Sequence, residues 1–226
     1  MCGRFTLSTS AKTIADMFSG LQVPEIPPSY NIAPTHQVAS IRNQTERQFA
    51  WLHWGLLPSW AKQKKMAAKM INARCETVHE KPAYRSAFKK RRCLVLADGF
   101  YEWISTPDGK QPMYITLKNN LPFAMAGLWE SNRKIDDQPI ESCTVVTTNA
   151  NSLMAPIHDR MPVILPDDLW EAWLDPAFED TTALQKMLQP FDSDQLQATA
   201  VSKSANKVSN NSPECIKPAD QQGELF

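Results

Sequence analysis

An α+β fold in one domain is what this sequence predicts, on three observations. The chain has 226 residues, and at about 100–200 residues per domain that fits one large domain. Candidate helices fall irregularly among more numerous candidate strands, without the β-α alternation of a doubly wound parallel sheet. Neither an internal repeat nor a clear linker divides the chain. Seventeen prolines against seven glycines point to many short elements joined by Pro-punctuated loops, because proline rarely sits inside helices or central strands.

The elements follow in order. Ser8, Thr9 and Ser10 offer N-caps for a helix with Ile14, Met17, Phe18 and Leu21 on one face. Residues 22–36 hold Pro24, Pro27, Pro28 and Pro34 and read as an extended loop. Val38–Arg42 and Arg47–Trp54 flank Asn43-Gln44-Thr45 like a hairpin, with Phe49, Trp51 and His53 alternating with Ala50, Leu52 and Trp54. Ala61–Met70 is basic and helix-prone, and Pro82 starts a helix through Lys90. Cys93–Ala97 reads as a buried strand, with Asp98-Gly99 as a turn. Tyr101–Ile104, Met113–Leu117, Phe123–Trp129 and Ser142–Thr148 are further strands. Ser152–Ile157 reads as one helical turn and Met161–Leu165 as a strand. Pro166 opens a helix through Leu174, Thr181–Leu188 is another, and Ala198–Ser202 is the last strand. From Ser204 the composition turns polar.

Hydrophobic residues make up 42% and charged residues 21%, ordinary values that exclude wholesale disorder, collagen and coiled coil. No apolar run approaches the ~20 residues that span a bilayer, and the N-terminus lacks the apolar core of a secretory signal. The expectation is a cytoplasmic monomer without a membrane partner. The five cysteines, at 2, 75, 93, 143 and 215, form no C-x-x-C pair, and the four histidines are scattered. Neither a disulfide framework nor a metal site is expected, and no cofactor is expected. Cys75, Cys93, Cys143 and Cys215 read as buried or incidental.

The net charge is zero, yet residues 1–113 carry 16 Lys+Arg against 8 Asp+Glu, and residues 114–226 the reverse. Between Lys62 and Arg92 lie 11 basic residues against Glu76 and Glu80. An anionic partner suits that segment, and so does a solvated basic face balanced by the acidic half. Trp54, Trp60 and Tyr84 intersperse it, a mixture that single-strand nucleic-acid channels use for stacking plus charge.

Five residues stand out chemically. Loss of Met1 makes Cys2 a 1,2-aminothiol, with reference pKa values of about 7.7–8.0 for the amine and about 8.5 for the thiol. The amine can condense with an aldehyde, and the thiol can close onto the imine to give a thiazolidine. Alternatively an N-terminal thiol attacks an amide, with the α-amine as base. Glu102 lies in the aromatic-rich Ala97-Asp98-Gly99-Phe100-Tyr101-Glu102-Trp103, where apolar surroundings favour a raised pKa and general acid/base work. His158 sits beside Asp159 and Arg160, which offer orienting and anion-binding groups. Asn72 and Arg74 follow the basic stretch and suit a sugar or base and a phosphate.

Seven segments occur in a diagnostic order: Met1-Cys2-Gly3-Arg4-Phe5, Tyr30-Asn31-Ile32-Ala33-Pro34, Trp54-Gly55-Leu56-Leu57-Pro58-Ser59-Trp60, Ile71-Asn72-Ala73-Arg74-Cys75-Glu76-Thr77, Asp98-Gly99-Phe100-Tyr101-Glu102-Trp103, Thr147-Thr148-Asn149-Ala150 and Ile157-His158-Asp159-Arg160-Met161-Pro162. Together they resemble the SOS response-associated peptidase family, sensors of abasic sites in single-stranded DNA. The resemblance implies one domain over residues 1–218 with a β-rich, barrel-like core of mixed and antiparallel strands and flanking helices. It implies a lyase-like DNA–protein crosslinking activity in the DNA damage response, at the nucleoid, in which Cys2 forms a thiazolidine with the abasic sugar. Asn72 then positions the amine, Glu102 assists Schiff-base formation and ring opening, and His158 is the acid/base of sugar-ring opening and reversal. Arg4, Arg74 and Arg85 correspond to phosphate contacts. Pro34 and Trp60 correspond to apolar contacts on a kinked strand, and Thr148 and Asn149 to the groove lining. The same Cys2, Glu102 and His158 would serve an N-terminal-nucleophile peptidase, including release of Met1. A binder that only holds single strands is the third reading.

Residues 219–226 read as a flexible tail. Gln222-Gly223-Glu224-Leu225-Phe226 fits the Q-x-x-L-F pattern of sliding-clamp-binding peptides.

Overall fold

The computed structural model describes residues 2–18, 20–44 and 46–219, so the tail motif of Gln222, Leu225 and Phe226 lies outside the described residues. The chain opens with β1 (Phe5–Leu7) and α1 (Ala11–Met17), whose N-cap Ser10 accepts the Thr13 N–H. The Pro-rich stretch is not all loop, for it contains β2 (Ser29–Ile32). Its prolines flank that strand without entering it, so the N–H groups remain for pairing with β1. The hairpin forms as its pattern predicts, β3 (Gln37–Asn43) antiparallel to β4 (Arg47–Trp54). Ala50, Leu52 and Trp54 are buried, and Phe49, Trp51 and His53 take the other, partly exposed face.

The expected helix over Ala61–Met70 is only a 3-10 helix, Lys64–Lys69. Ala67 is its one buried residue, and without an apolar stripe a longer α-helix has nothing to hold it. It packs on Gly55, whose φ is +132° and where a Cβ would sit 2.5 Å from the Ala67 carbonyl oxygen. Next come β5 (Asn72–Arg74), α2 (Arg85–Lys90) and β6 (Arg92–Ala97). β6 is buried along its whole length, as a continuous apolar run covered on both faces should be.

β7 (Gly99–Thr106), β8 (Gly109–Leu117), β9 (Phe123–Asn132) and β10 (Ile140–Asn149) follow. The expected strand Met161–Leu165 is two strands, β11 (Arg160–Pro162) and β12 (Ile164–Leu165). Between them Val163 donates to Val146 and accepts from Ala126, which moves the chain from β10 to β9. The helix after Pro166 is a 3-10 turn, Asp167–Leu169, leading into α3 (Trp170–Leu174). α4 (Thr181–Lys186) and β13 (Leu196–Ala200) complete the list of longer elements.

Two sheets form. One runs β13-β8-β7-β1-β2, and the other contains β11, β10, β4, β3, β6, β9 and β12, with β5 paired to β10. Within the second, the pairs β4–β3, β3–β6, β6–β9, β9–β10 and β10–β4 close a ring, the barrel-like core. Its pairing is mixed, because β10 runs parallel to β4 and β5. No helix among the described residues is long and apolar enough to cross a membrane.

Asp98 and Gly99 do not form a hairpin turn. They are the point at which the chain leaves β6 in one sheet and enters β7 in the other. The Asp98 carboxylate is buried and accepts from Thr6 Oγ1 (2.5 Å), from the Ser8 and Thr9 N–H groups (2.6 and 2.9 Å) and from both their hydroxyls. Those bonds fasten the end of β1 to the sheet crossing. Gly99 lets the Tyr114 ring lie directly on the backbone, with its phenol 2.8 Å from Thr6 Oγ1. A Cβ there would fall 2.3 Å from that ring. Gly99→Ala is therefore expected to destabilise the fold by about 1–3 kcal/mol, read as a lower denaturant midpoint at unchanged m-value.

Candidate active site

The site is assembled from four distant pieces of chain. β1 pairs antiparallel with β7 through Phe5↔Phe100, and Tyr101 N–H donates to the Arg4 carbonyl at 2.9 Å. This ladder lays residues 2–4 alongside Tyr101-Glu102-Trp103. β5 pairs with β10 through Asn72↔Val145, and Asn72 Nδ2 donates to the Cys2 carbonyl at 2.7 Å. Tyr84 Oη donates in turn to the Asn72 carbonyl at 3.3 Å. Asn72 Oδ1 is buried and has no hydrogen-bond partner among the described residues.

Cys2 is fully buried. Burial pushes its thiol far above the ordinary range, and the neighbouring Glu102 charge adds to that. Glu102 is 4% exposed. Burial raises its carboxyl above the usual carboxylate range, and the positive charge of His158 works against the rise. Glu102 is thus electrostatically linked to Cys2 on one side and to His158 on the other.

His158 ends the turn over residues 152–157, where its N–H donates to the Met154 carbonyl at 2.8 Å. Its Nδ1 accepts the Arg160 N–H at 3.0 Å and lies 2.8 Å from the Asp159 carboxylate. Those two contacts belong to different protonation states. A neutral ring with its proton on Nε2 accepts from Arg160, and an imidazolium turns Nδ1–H toward Asp159.

Arg160 does not serve as an anion-binding group here. It is buried, its guanidinium forks onto Glu76 (2.5 and 3.0 Å), and it also donates to Asn149 Oδ1 and the Thr147 carbonyl, both at 2.7 Å. It anchors the His158 turn to β10. Asn149 is exposed at the end of β10 and shares its Oδ1 with Arg160, while Thr148 is buried and accepts from the Cys75 thiol at 3.5 Å.

The other expected contact residues are spread more widely. Arg4 Nη1 donates to Asn31 Oδ1 (2.7 Å) and the Ala205 carbonyl (3.1 Å), and its guanidinium lies 5.5 Å from the Trp103 ring centre. Arg74, on β5, and Arg85, the first residue of α2, are exposed, Pro34 is half-buried and Trp60 is 49% exposed. The basic segment is not one uniform face. Arg92 is buried and donates to the carbonyls of Phe88, Lys89, Trp173, Asp175 and Phe178. Lys64, Lys90 and Arg91 pair with Asp136, Glu179 and Glu130. Lys62, Lys65, Lys69, Arg74, Lys81, Arg85 and Lys89 remain exposed. Trp54 and Tyr84 are buried, so Trp60 alone of the three interspersed aromatics presents its ring to solvent. A cavity of about 780 Å³ between α1, residues 117–123 and residues 164–171 is lined by none of Cys2, Asn72, Glu102 and His158.

With this geometry established, comparison with known proteins places the chain. The family model described as SOS response associated peptidase (SRAP) matches residues 1–208. The chain belongs to that family. The SRAP chain is 45% identical over 222 residues to the abasic site processing protein YoqW of Bacillus subtilis (strain 168), covering 96% of this chain and 99% of the relative. It is 32% identical over 267 residues to the abasic site processing protein HMCES of Gallus gallus, covering 97% and 78%. A solved protein structure from Bacteroides thetaiotaomicron superposes on the SRAP chain with a TM-score of 0.85 at 28% identity, covering 96% and 100%.

Sequence reasoning missed Asp98 as an anchor, Asn31 as the partner of Arg4, and the Glu76–Arg160 fork. The signal for the first was an acidic residue directly after an all-apolar strand, a place where a carboxylate needs buried donors. The fork also sets a pH dependence. The Arg160 hydrogen bond holds the Glu76 carboxyl below its usual value, so its contribution is present above the ordinary value of 4.5 and is lost as pH falls through the depressed one. The protection of the Arg160 amide in the SRAP chain, measured against the intrinsic exchange rate at each pH, should fall on acidification below that range, and in Glu76→Gln it should be low at every pH.

Proposed function

We propose that this chain processes abasic sites in single-stranded DNA by bonding to them covalently through Cys2. The observation that carries the reading is the clamp of Asn72 on the Cys2 carbonyl, which fixes residue 2 with its thiol beside Glu102. The family membership and the names of the curated relatives point to the same lesion. The exposed Lys62, Lys65, Lys69, Arg74, Lys81, Arg85 and Lys89 supply the charge a strand needs, and Trp60 and Pro34 supply apolar contact.

Removal of Met1 frees the Cys2 α-amine next to the open Asn72 Oδ1, which accepts one of its N–H bonds. His158 hands a proton to the ring oxygen of the abasic sugar and takes one back from the C1 hydroxyl, and the ring opens to the aldehyde. The amine adds to that carbon. Glu102 keeps a proton above the usual carboxylate range because it is buried, and once the amine's surplus proton has passed to the new hydroxyl oxygen, Glu102 gives its own to that departing hydroxyl, so water leaves and a protonated imine remains. The thiol then adds to the imine carbon, its proton returns to the Glu102 carboxylate, and the ring nitrogen keeps a single hydrogen. Aldehyde plus aminothiol gives thiazolidine plus water, with every proton accounted for. A peptidase reading needs a thiolate as the attacking group, and burial pushes Cys2 the other way. An imine accepts a neutral thiol with base assistance far more readily than an amide does.

Protein with Met1 removal verified by intact mass, mixed with a single-stranded oligonucleotide carrying one abasic site, should give a heat-stable shifted band on a denaturing gel. Cys2→Ala and an undamaged oligonucleotide should give none. A missing band despite a free Cys2 amine would remove the proposal. Glu102→Gln should slow band formation by about 10²–10⁴. Binding to an undamaged strand should weaken with salt at a slope of about −0.7 per neutralised phosphate, and Arg74→Ala or Arg85→Ala should each reduce that slope by about 0.7.

A further inference from the structure

The turn that carries Trp60 is held by a buried side chain from a distant strand. Ala61 N–H donates to the Pro58 carbonyl at 2.8 Å, which closes Pro58-Ser59-Trp60-Ala61 into a four-residue turn with Ser59 and Trp60 in its middle. Pro58 and Ala61 are buried, whereas Ser59 and Trp60 are exposed. The direction of the indole therefore follows from how the two ends of the turn are fixed. Asn132, the last residue of β9, is fully buried against those ends. Its Nδ2 donates to the Pro58 carbonyl at 2.7 Å and to the Ala61 carbonyl at 3.0 Å, and its Oδ1 accepts the Lys134 N–H at 2.8 Å. Both amide hydrogens and the oxygen are used. The reversed amide would set Oδ1 against two carbonyls and Nδ2 against an N–H, so the orientation is unambiguous. Asn132 is itself fixed, because it pairs with Ile140 at the end of the β9–β10 ladder. Ser142 of β10 adds a tie just ahead of the turn, its Oγ accepting the Leu57 N–H at 2.8 Å. Beyond the turn Lys64 pairs with Asp136, in the connection between β9 and β10.

We propose that Asn132 is a positioning residue for strand binding, which aims the exposed Trp60 ring at the bound single strand by clamping both ends of its turn. The inference rests on the proposed function, in which Trp60 contacts that strand. Asn132 is buried and acts only through Trp60. A ring already set in one direction stacks on a base without first losing its own freedom. Without the clamp the indole is still present, but the turn that presents it has lost two of its hydrogen bonds to the barrel. The loss is then read in affinity for the strand, and it depends on Trp60 being there.

Binding of the full chain to a labelled single strand with a tetrahydrofuran abasic analogue tests this, because the analogue has no aldehyde and reports binding without crosslinking. The native chain is compared with Trp60→Ala, Asn132→Leu and the double variant. Trp60→Ala should weaken binding about 5- to 150-fold, the loss of one stacked base. Asn132→Leu has a similar shape and no donor, and should weaken it at least about threefold. The double variant should bind within about twofold of Trp60→Ala alone, since the clamp then has no ring to aim. The indole N–H resonance of Trp173, which donates to the Cys93 carbonyl in the core, should stay in place and shows the fold intact. Asn132→Asp, which keeps the acceptor for Lys134, carries the test if Asn132→Leu loses that resonance. Native-like binding by the folded Asn132 variant beside a weakened Trp60→Ala overturns the proposal. So does an Asn132 effect that persists in full in the Trp60→Ala background, or loss of the Trp173 resonance in both Asn132 variants. Native-like binding by Trp60→Ala overturns it together with the strand contact assigned to Trp60. Crosslinking of the native chain to a true abasic strand is read separately on the denaturing gel, which keeps failure of the functional reading distinguishable.

Discussion

Everything in the candidate site depends on how firmly the first strand is held, because its proposed nucleophile, Cys2, is the second residue of the chain. Chain termini fray unless tied down. Here the tie is made by the Asp98 carboxylate, which gathers five donors from Thr6, Ser8 and Thr9, and by the short ladder of β1 with β2 and β7. Asp98 sits where the chain crosses between sheets, so it joins the N-terminus to the barrel as well as to β7. A second tie lies nearer the site. Arg4 and Asn31 bind each other, and Asn31 Nδ2 holds the carbonyls of Ala205, Lys207 and Asn210. The C-terminal segment thereby straps the N-terminal one in place.

Holding the terminus this way has an electrostatic consequence. A thiol and a carboxyl buried together both resist ionisation, because neither charge is solvated and each opposes the other. The Cys2–Glu102 pair therefore favours neutral groups and short proton transfers over a free thiolate. That suits chemistry led by an amine and an electrophile that arrives from outside. His158 moderates the pair, since its charge lowers the cost of ionising Glu102.

The positive half of the chain divides by role once it folds. Arg92 and Arg160 are buried and act as multidentate ties, Arg92 joining α2 to the α3 region and Arg160 joining the His158 turn to β10. Arg suits this because its planar fork satisfies several acceptors at once. The lysines stay at the surface, where an ammonium keeps its hydration. Counting charges along the sequence cannot separate the two uses, because both appear as Lys or Arg in the same segment.

The sequence by itself determined the α+β class, the β3–β4 hairpin, the all-buried β6 and the α1 cap, each encoded by local spacing and propensity. It also marked Cys2, Asn72, Glu102 and His158, through residue chemistry and ordered motifs. Only the tertiary structure decided that the five core strands close into a ring, since β10 reaches β4 across nearly ninety residues by parallel pairing that leaves no local pattern. It decided that Asp98-Gly99 is a crossing between sheets, because a turn and a crossing use the same two residue types. It decided that Arg160 and Arg92 are internal ties, because burial follows from what packs above a side chain. And it brought β1, β5, β7 and the turn before β11 to one place, which sequence separation conceals and hydrogen-bonded register fixes.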